Sequence, residues 1–218
     1  MFGVNRDAIA EAIEEEEFRV RVTNIEVVFP NRIVISVRER YPVFEFVHAG
    51  NRYILCRELR FITHQIYPVR ELIQIPSDQI IVTNPERRIA LGEYLDDFFP
   101  PNFDGTFSYH YQEERLKIRR VRDVADFFFS RANYEDAFSH MFTRFAFVQR
   151  GGARVDMYLY WHTENATVIV FEGIGNDLDF NRKLVYVMYV KEIVTNNMAS
   201  SYRVRIWIDG RLSVEYQL

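Results

Sequence analysis

Between residues 25 and 40 the sequence alternates with a period of two. Ile25, Val27 and Phe29 point one way, Pro30-Asn31 interrupts, and Ile33, Ile35 and Val37 resume the alternation. A period of two cannot be accommodated on a helix, so these residues are expected to form a β-hairpin that turns at Pro30-Asn31.

The flanking residues give this hairpin its company. Ile9, Ala12 and Ile13 fall on one face of a helix expected over residues 5–17, and the acidic run 14–17 opposes the helix dipole and stops it. Two further strands are expected at 43–47 and 53–56, joined by a turn at Ala49-Gly50-Asn51. One helix on three or four strands makes a small α+β unit over residues 1–68.

From residue 69 to 218 strands are expected to dominate. They fall at 79–82, 106–111, 116–121, 144–149, 155–161 and 168–171, with two more over 202–216 around Asp209-Gly210, a strong hairpin signal. Helices are expected at 85–98, 123–142 and 177–196. The middle one carries Phe127, Phe128, Phe129, Tyr134, Phe138 and Phe142, more aromatics than one narrow stripe holds. The fold class is α+β: a small helix-on-sheet domain followed by a larger, mostly antiparallel β domain with flanking helices.

Charge narrows the partners. With 31 acidic against 27 basic residues the net charge is -4, so no global positive field exists to hold nucleic acid or anionic lipid. One local exception is the run Arg115, Lys117, Arg119, Arg120 and Arg122, which on a strand would form a basic strip. No stretch has the roughly 18 consecutive apolar residues of a membrane span. The single Cys56 permits no intrachain disulfide, and its expected place is in the core.

Catalytic chemistry finds little footing. His48, His64, His110, His140 and His162 are scattered without ligand spacing, so neither a metal nor any other cofactor is expected. Gly173-Ile174-Gly175-Asn176-Asp177 sits where a phosphate cradle would, but lacks the third glycine and a Lys-Ser/Thr pair, and a turn with Asp177 capping a helix is the better reading. A hydrolase using His162 with Glu164 or Asp156 stands as an alternative to a non-catalytic role.

Residues 25–42, with Phe29-Pro30-Asn31 in the turn and Val37-Arg38-Glu39-Arg40-Tyr41-Pro42 at the exit, resemble the POTRA domain of the FtsQ/DivIB family of bacterial cell-division proteins. Gly50 followed by Ile54-Leu55, the helix start at Asp177-Leu178 with Lys183-Leu184, and two closing strands are similar in order. The chain departs from the family in beginning at a helix where the family begins with another strand and helix. It also carries Val204-Arg205-Ile206-Trp207 where the family often has Ile-Asp-x-Arg. The resemblance implies a POTRA-like domain at 1–68 and a β-rich domain at 69–218. It further implies a non-catalytic scaffold on the extracytoplasmic face of the inner membrane, anchored by a helix preceding this chain and binding FtsL-like and FtsB/DivIC-like partners by strand addition at the last sheet edge. Tyr202, Arg203, Arg205, Trp207, Ile208, Val214 and Tyr216 are the expected contacts. A POTRA-type module of protein translocation or outer-membrane assembly is the other reading that keeps the same unit.

Overall fold

The computed structural model describes residues 5–29, 31–63, 72–80, 87–102, 105–106, 108–130, 141–151, 154–161, 167–175, 180, 182, 184–185, 187, 201–206 and 212–217. Helix α1 spans Arg6–Glu16 and is followed by β1 (Val20–Val28) and β2 (Arg32–Glu39). Asn5 caps α1 by accepting the N–H of Ala8 through its side chain. The hairpin forms in the expected register, with Ile25 opposite Ile35 and Val27 opposite Ile33. Alternation places these apolar positions on one side of the ribbon. Ile25 is buried, whereas Ile33, Ile35 and Val37 are exposed at 47%, 39% and 53%.

The next two strands leave the hairpin. β3 (Phe44–His48) and β4 (Asn51–Leu55) join β5 (Phe61–Thr63) and β6 (Ile73–Ile75) in a nine-stranded sheet, while β1 and β2 form a two-stranded sheet by themselves. Of the expected small unit of one helix on three or four strands, the helix and β1–β2 form together, while β3 and β4 belong to the larger sheet. β2 ends at Glu39, and past Tyr41-Pro42 the chain restarts in a new sheet. β3 pairs in parallel with β6, Phe44 opposite Ile73, so hydrogen bonding crosses the expected boundary at residue 68. One apolar cluster likewise contains both Phe44 and Phe145.

The remaining strands are β7 (Phe142–Gln149), β8 (Val155–Trp161), β9 (Val168–Phe171), β10 (Ser201–Ile206) and β11 (Leu212–Gln217), and the sheet order is β11-β10-β9-β8-β7-β6-β3-β4-β5. The β3–β4 turn has positive φ at both Ala49 (49°) and Gly50 (77°), the combination a two-residue hairpin turn requires. The β7–β8 hairpin and the strand at β9 form as expected, and β10 and β11 pair antiparallel, while residues 207–211 between them lie outside the described ones.

Helix α2, Tyr109–Phe129, replaces the hairpin expected over 106–121 and the start of the helix expected over 123–142. Ser108 caps it by accepting the N–H of Tyr111. Ile118, Val121, Val124, Ala125 and Phe128 are fully buried at the three-and-four spacing of a helix face. That face packs across the sheet, with the Phe128 and Phe142 ring centroids 5.3 Å apart. The polar run Gln112-Glu113-Glu114, between the two strands expected at 106–111 and 116–121, is instead made of good helix formers inside the helix. Residues 131–140, with Tyr134 and Phe138, lie outside the described residues, and Phe142 opens β7.

Three other expectations are corrected or only partly described. Gln79 and Ile80 lie in a bend where a strand was expected over 79–82. Where a helix was expected over 85–98, residues 87–94 are not helical and only a short 3-10 turn forms at Leu95–Phe98. Gly92, at φ 94°, breaks the segment ahead of it. Of residues 177–196, the described ones at 180, 182, 184, 185 and 187 are helical.

The basic run 115–122 is not a surface strip. Lys117 is buried and donates to the carbonyl of Gln79 at 2.9 Å and to Glu114 at 2.8 Å. Arg120, 1% exposed, donates to the carbonyl of Ile174 at 2.8 Å and to Asp123 at 2.7 Å, under the ring of Phe180. Arg122 pairs with Asp96 at 3.0 Å, and Arg115 donates to the carbonyl of Phe99 at 3.1 Å. Burial without such partners would cost several kcal/mol. Arg120→Met is therefore expected to lower unfolding free energy by about 2–4 kcal/mol in urea denaturation. Arg32→Met, at an exposed position on β2, is expected to change it by less than about 0.5 kcal/mol.

Candidate partner-binding edge

The C-terminal strands form one end of the nine-stranded sheet. β10 runs parallel to β9, with Arg203 opposite Val168 and Ile206 opposite Phe171, and β11 pairs antiparallel with β10. β11 is the last strand in the sheet order, so its outer backbone N–H and C=O groups have no sheet partner among the described residues. An edge of this kind is a template for an added strand.

The register divides the expected contact residues between two sets of rows. Tyr202 stands opposite Tyr216 and Val204 opposite Val214, in alternation with Arg203 opposite Glu215 and Arg205 opposite Ser213. Val204 also pairs with Ile169, whereas the Arg203 row continues through Val168 and Tyr160 to Arg144. The tyrosines and Val214 thus belong to one set of rows and Arg203 and Arg205 to the other. Trp207 and Ile208 lie outside the described residues, so the structure leaves these two contacts without a position.

Of the residues considered for chemistry, Asp156 and His48 have defined polar partners. Asp156, 1% exposed, accepts from Arg150 at 3.1 Å and from the N–H of Gly173 at 2.9 Å, and Arg154 lies 3.4 Å away. This carboxylate ties the start of β8 to the turn after β9, the segment in which a phosphate cradle was considered. Gly173 occupies that turn with φ 62°, and Asn176 and Asp177 are outside the described residues, as are His162 and Glu164. His48 is buried, with Nε2 3.1 Å from the carbonyl of Arg87. Among the described residues no three His, Cys, Asp or Glu side chains gather as a metal site.

A polar junction that the sequence did not announce couples the ribbon to the sheet. Arg40, just past β2, donates to the carbonyls of Phe18 and Val20 and to Glu14. Glu14 also accepts the N–H of Val22 at 2.9 Å, which joins α1 to β1. Glu58, in the turn between β4 and β5, pairs with Arg21 at 3.1 Å, stands 4.0 Å from Arg40 and accepts from the Cys56 thiol at 3.1 Å. The turn is tight enough that Leu59 adopts φ 61°. The only prior signal was the buried character expected of Cys56; the pairing of groups 26 and 37 positions apart has no local signature.

Electrostatics at this junction is directional. Burial, and then the neighbouring Glu58 carboxylate, push the Cys56 thiol up to about 12. Burial also pushes Glu58 upward, but the Cys56 hydrogen bond, its own backbone N–H, Arg40 and Arg21 outweigh it, and its carboxyl ends below the ordinary value. For Glu14 burial is likewise outweighed, here by the Val22 N–H together with Arg40 and Arg21.

No family model matches the chain, and no curated protein matches it in sequence.

The thiol is expected to resist alkylation by iodoacetamide at pH 8 in the folded protein and to react within minutes once urea unfolds it, read by intact mass. The two glutamates stabilise the fold above the ordinary glutamate value of 4.5, and that contribution is lost as pH falls through their lowered folded-state values. Glu58→Gln should therefore melt below the parent protein at pH 7 and converge with it in acid, measured by thermal unfolding from pH 7 to pH 2.

Proposed function

We propose that this chain is a non-catalytic, extracytoplasmic scaffold of the bacterial division machinery, which captures FtsL-like and FtsB/DivIC-like partners by strand addition at β11. The observation that carries this reading is the position of β11 at the end of the sheet, with one side of its backbone unpaired among the described residues. Main-chain hydrogen bonds to an incoming strand would supply affinity, and alternating side chains would supply selectivity. The FtsQ/DivIB-like block 25–42 supports the assignment: its residues form a hairpin around Phe29–Asn31, joined to a preceding helix and followed by a separate, larger sheet. In this reading the protein works at the outer face of the inner membrane.

The reading is tested by mixing the protein with the extracytoplasmic segments of FtsL-like and FtsB/DivIC-like proteins. A complex with a dissociation constant of tens of micromolar or tighter, roughly -6 kcal/mol, is expected by calorimetry. The double variant Tyr202→Ala/Tyr216→Ala alters a facing cross-strand pair and should weaken it by about tenfold or more, with circular dichroism checking that the sheet is retained. Absence of any complex with the parent protein overturns the proposal.

A further inference from the structure

Three neighbouring strands in the middle of the sheet, β3, β6 and β7, run parallel to one another. The central one is the shortest. β6 stops at Ile75, having met β7 at the single pair Gln74–Arg144, while β3 continues to His48 and β7 to Gln149. A cavity of about 350 Å³ opens where β6 ends, between Val47 of β3 and Ala146 of β7. Its volume is that of a small-ligand site, and crevices beyond the carboxyl ends of parallel strands are where such sheets bind ligands.

The wall of this cavity is built rather than loose. Residues 76–79 fold over the gap, and Gln79 fastens them twice. Its side-chain carbonyl accepts the N–H of Phe147 at 2.5 Å, in place of the strand that has ended, and its main-chain carbonyl accepts from the buried Lys117 of α2 at 2.9 Å. Pro76 restricts the entry to the loop.

The lining is bipolar. Arg144 is exposed and lies over the Tyr160 ring at 3.9 Å, which fixes the guanidinium plane while leaving its edge donors available. Among the described residues no carboxylate lies within ion-pair distance of it. The other acid on the β3 side, Glu45, is engaged by Arg52. Asp78, on the loop, is exposed, and among the described residues neither its carboxylate nor the side chains of Gln74 and Ser77 have a hydrogen bond or ion pair. An oriented cation, a separate uncompensated anion and two uncommitted polar groups thus face one preformed cavity.

We propose that this crevice binds a short zwitterionic peptide group, with Arg144 holding its carboxylate and Asp78 its cationic end. The shared chemistry is a carboxylate and an ammonium separated by a few bonds, supplied either by a free dipeptide or by a Glu/Lys side-chain pair on a longer chain. The site lies on β3, β6 and β7, away from β11, so it stands or falls independently of partner capture at the sheet edge.

The experiment follows backbone amide shifts of the isotope-labelled full chain during titration to about 10 mM with three probes: dialanine, acetyl-Glu-Gly-Lys-amide and the uncharged acetyl-Ala-Ala-amide. Saturable shifts at Gln74, Ser77 and Ala146 are expected with at least one charged probe. Dialanine alone identifies a free zwitterion, the capped peptide alone a side-chain pair, and both together the shared chemistry. Arg144→Ala and Asp78→Asn, exposed changes whose folding is verified by thermal unfolding, should each weaken binding about tenfold. Silence with both charged probes, equal shifts with the uncharged one, or undiminished binding in the two variants overturns the proposal.

Discussion

Phe128 of α2 and Phe142 of β7 meet with ring centroids 5.3 Å apart, at the centre of a contact between one helix face and one sheet face. On the sheet side Phe44, Phe145, Met157, Leu159 and Phe171 are each 1% exposed or less; on the helix side Ile118, Val121, Val124 and Ala125 are equally covered. Each large side chain buried here contributes about 1.5–3 kcal/mol relative to exposure, so this layer dominates cohesion. It also sets the direction of everything else. The strands keep Phe44, Phe145 and Phe171 in the core shared with α2, and the alternate positions, including Glu45, Gln74, Arg144 and Tyr160, form a row on the opposite face.

Charge enters the layer in two places, and both hold a turn. Arg120 reaches the carbonyl of Ile174 after β9, and Lys117 reaches the carbonyl of Gln79 after β6. A buried cation is tolerated only where acceptors converge on it. Arg40 follows the same logic at the junction of the ribbon with the sheet, where it gathers two carbonyls and Glu14. Three loops or junctions are thereby tied by long basic side chains, alongside the core packing of residues such as Ile80 and Ile174.

The β-hairpin at 25–40 was legible because both halves of its signal are local: alternation by two, and a proline-containing turn between the runs. The β7–β8 hairpin was legible for the same reason. The region 106–129 was not. A stretch such as Leu116-Lys117-Ile118-Arg119-Arg120-Val121 alternates imperfectly, and only the continuation through Val124, Ala125 and Phe128 selects the helical period. Lys117 and Arg120 added to the confusion, because buried basic residues read as solvent-facing ones until their acceptors are seen. The edge strand was legible as a strand and as the last one, but its register, which divides Tyr202 and Tyr216 from Arg203 and Arg205, was not.

The sequence by itself determined the α+β class, the hairpin with its preceding helix, and the closing pair of strands, since each depends on contacts within a few residues. Only the tertiary structure decided that β3 and β4 belong to the large sheet and that β6 falls short between two longer parallel neighbours. It also decided that Arg40, Cys56 and Glu58 meet at one junction. These outcomes depend on pairings between distant segments, where one strand shortened by a few residues changes which partner is in reach, and no local pattern encodes that choice.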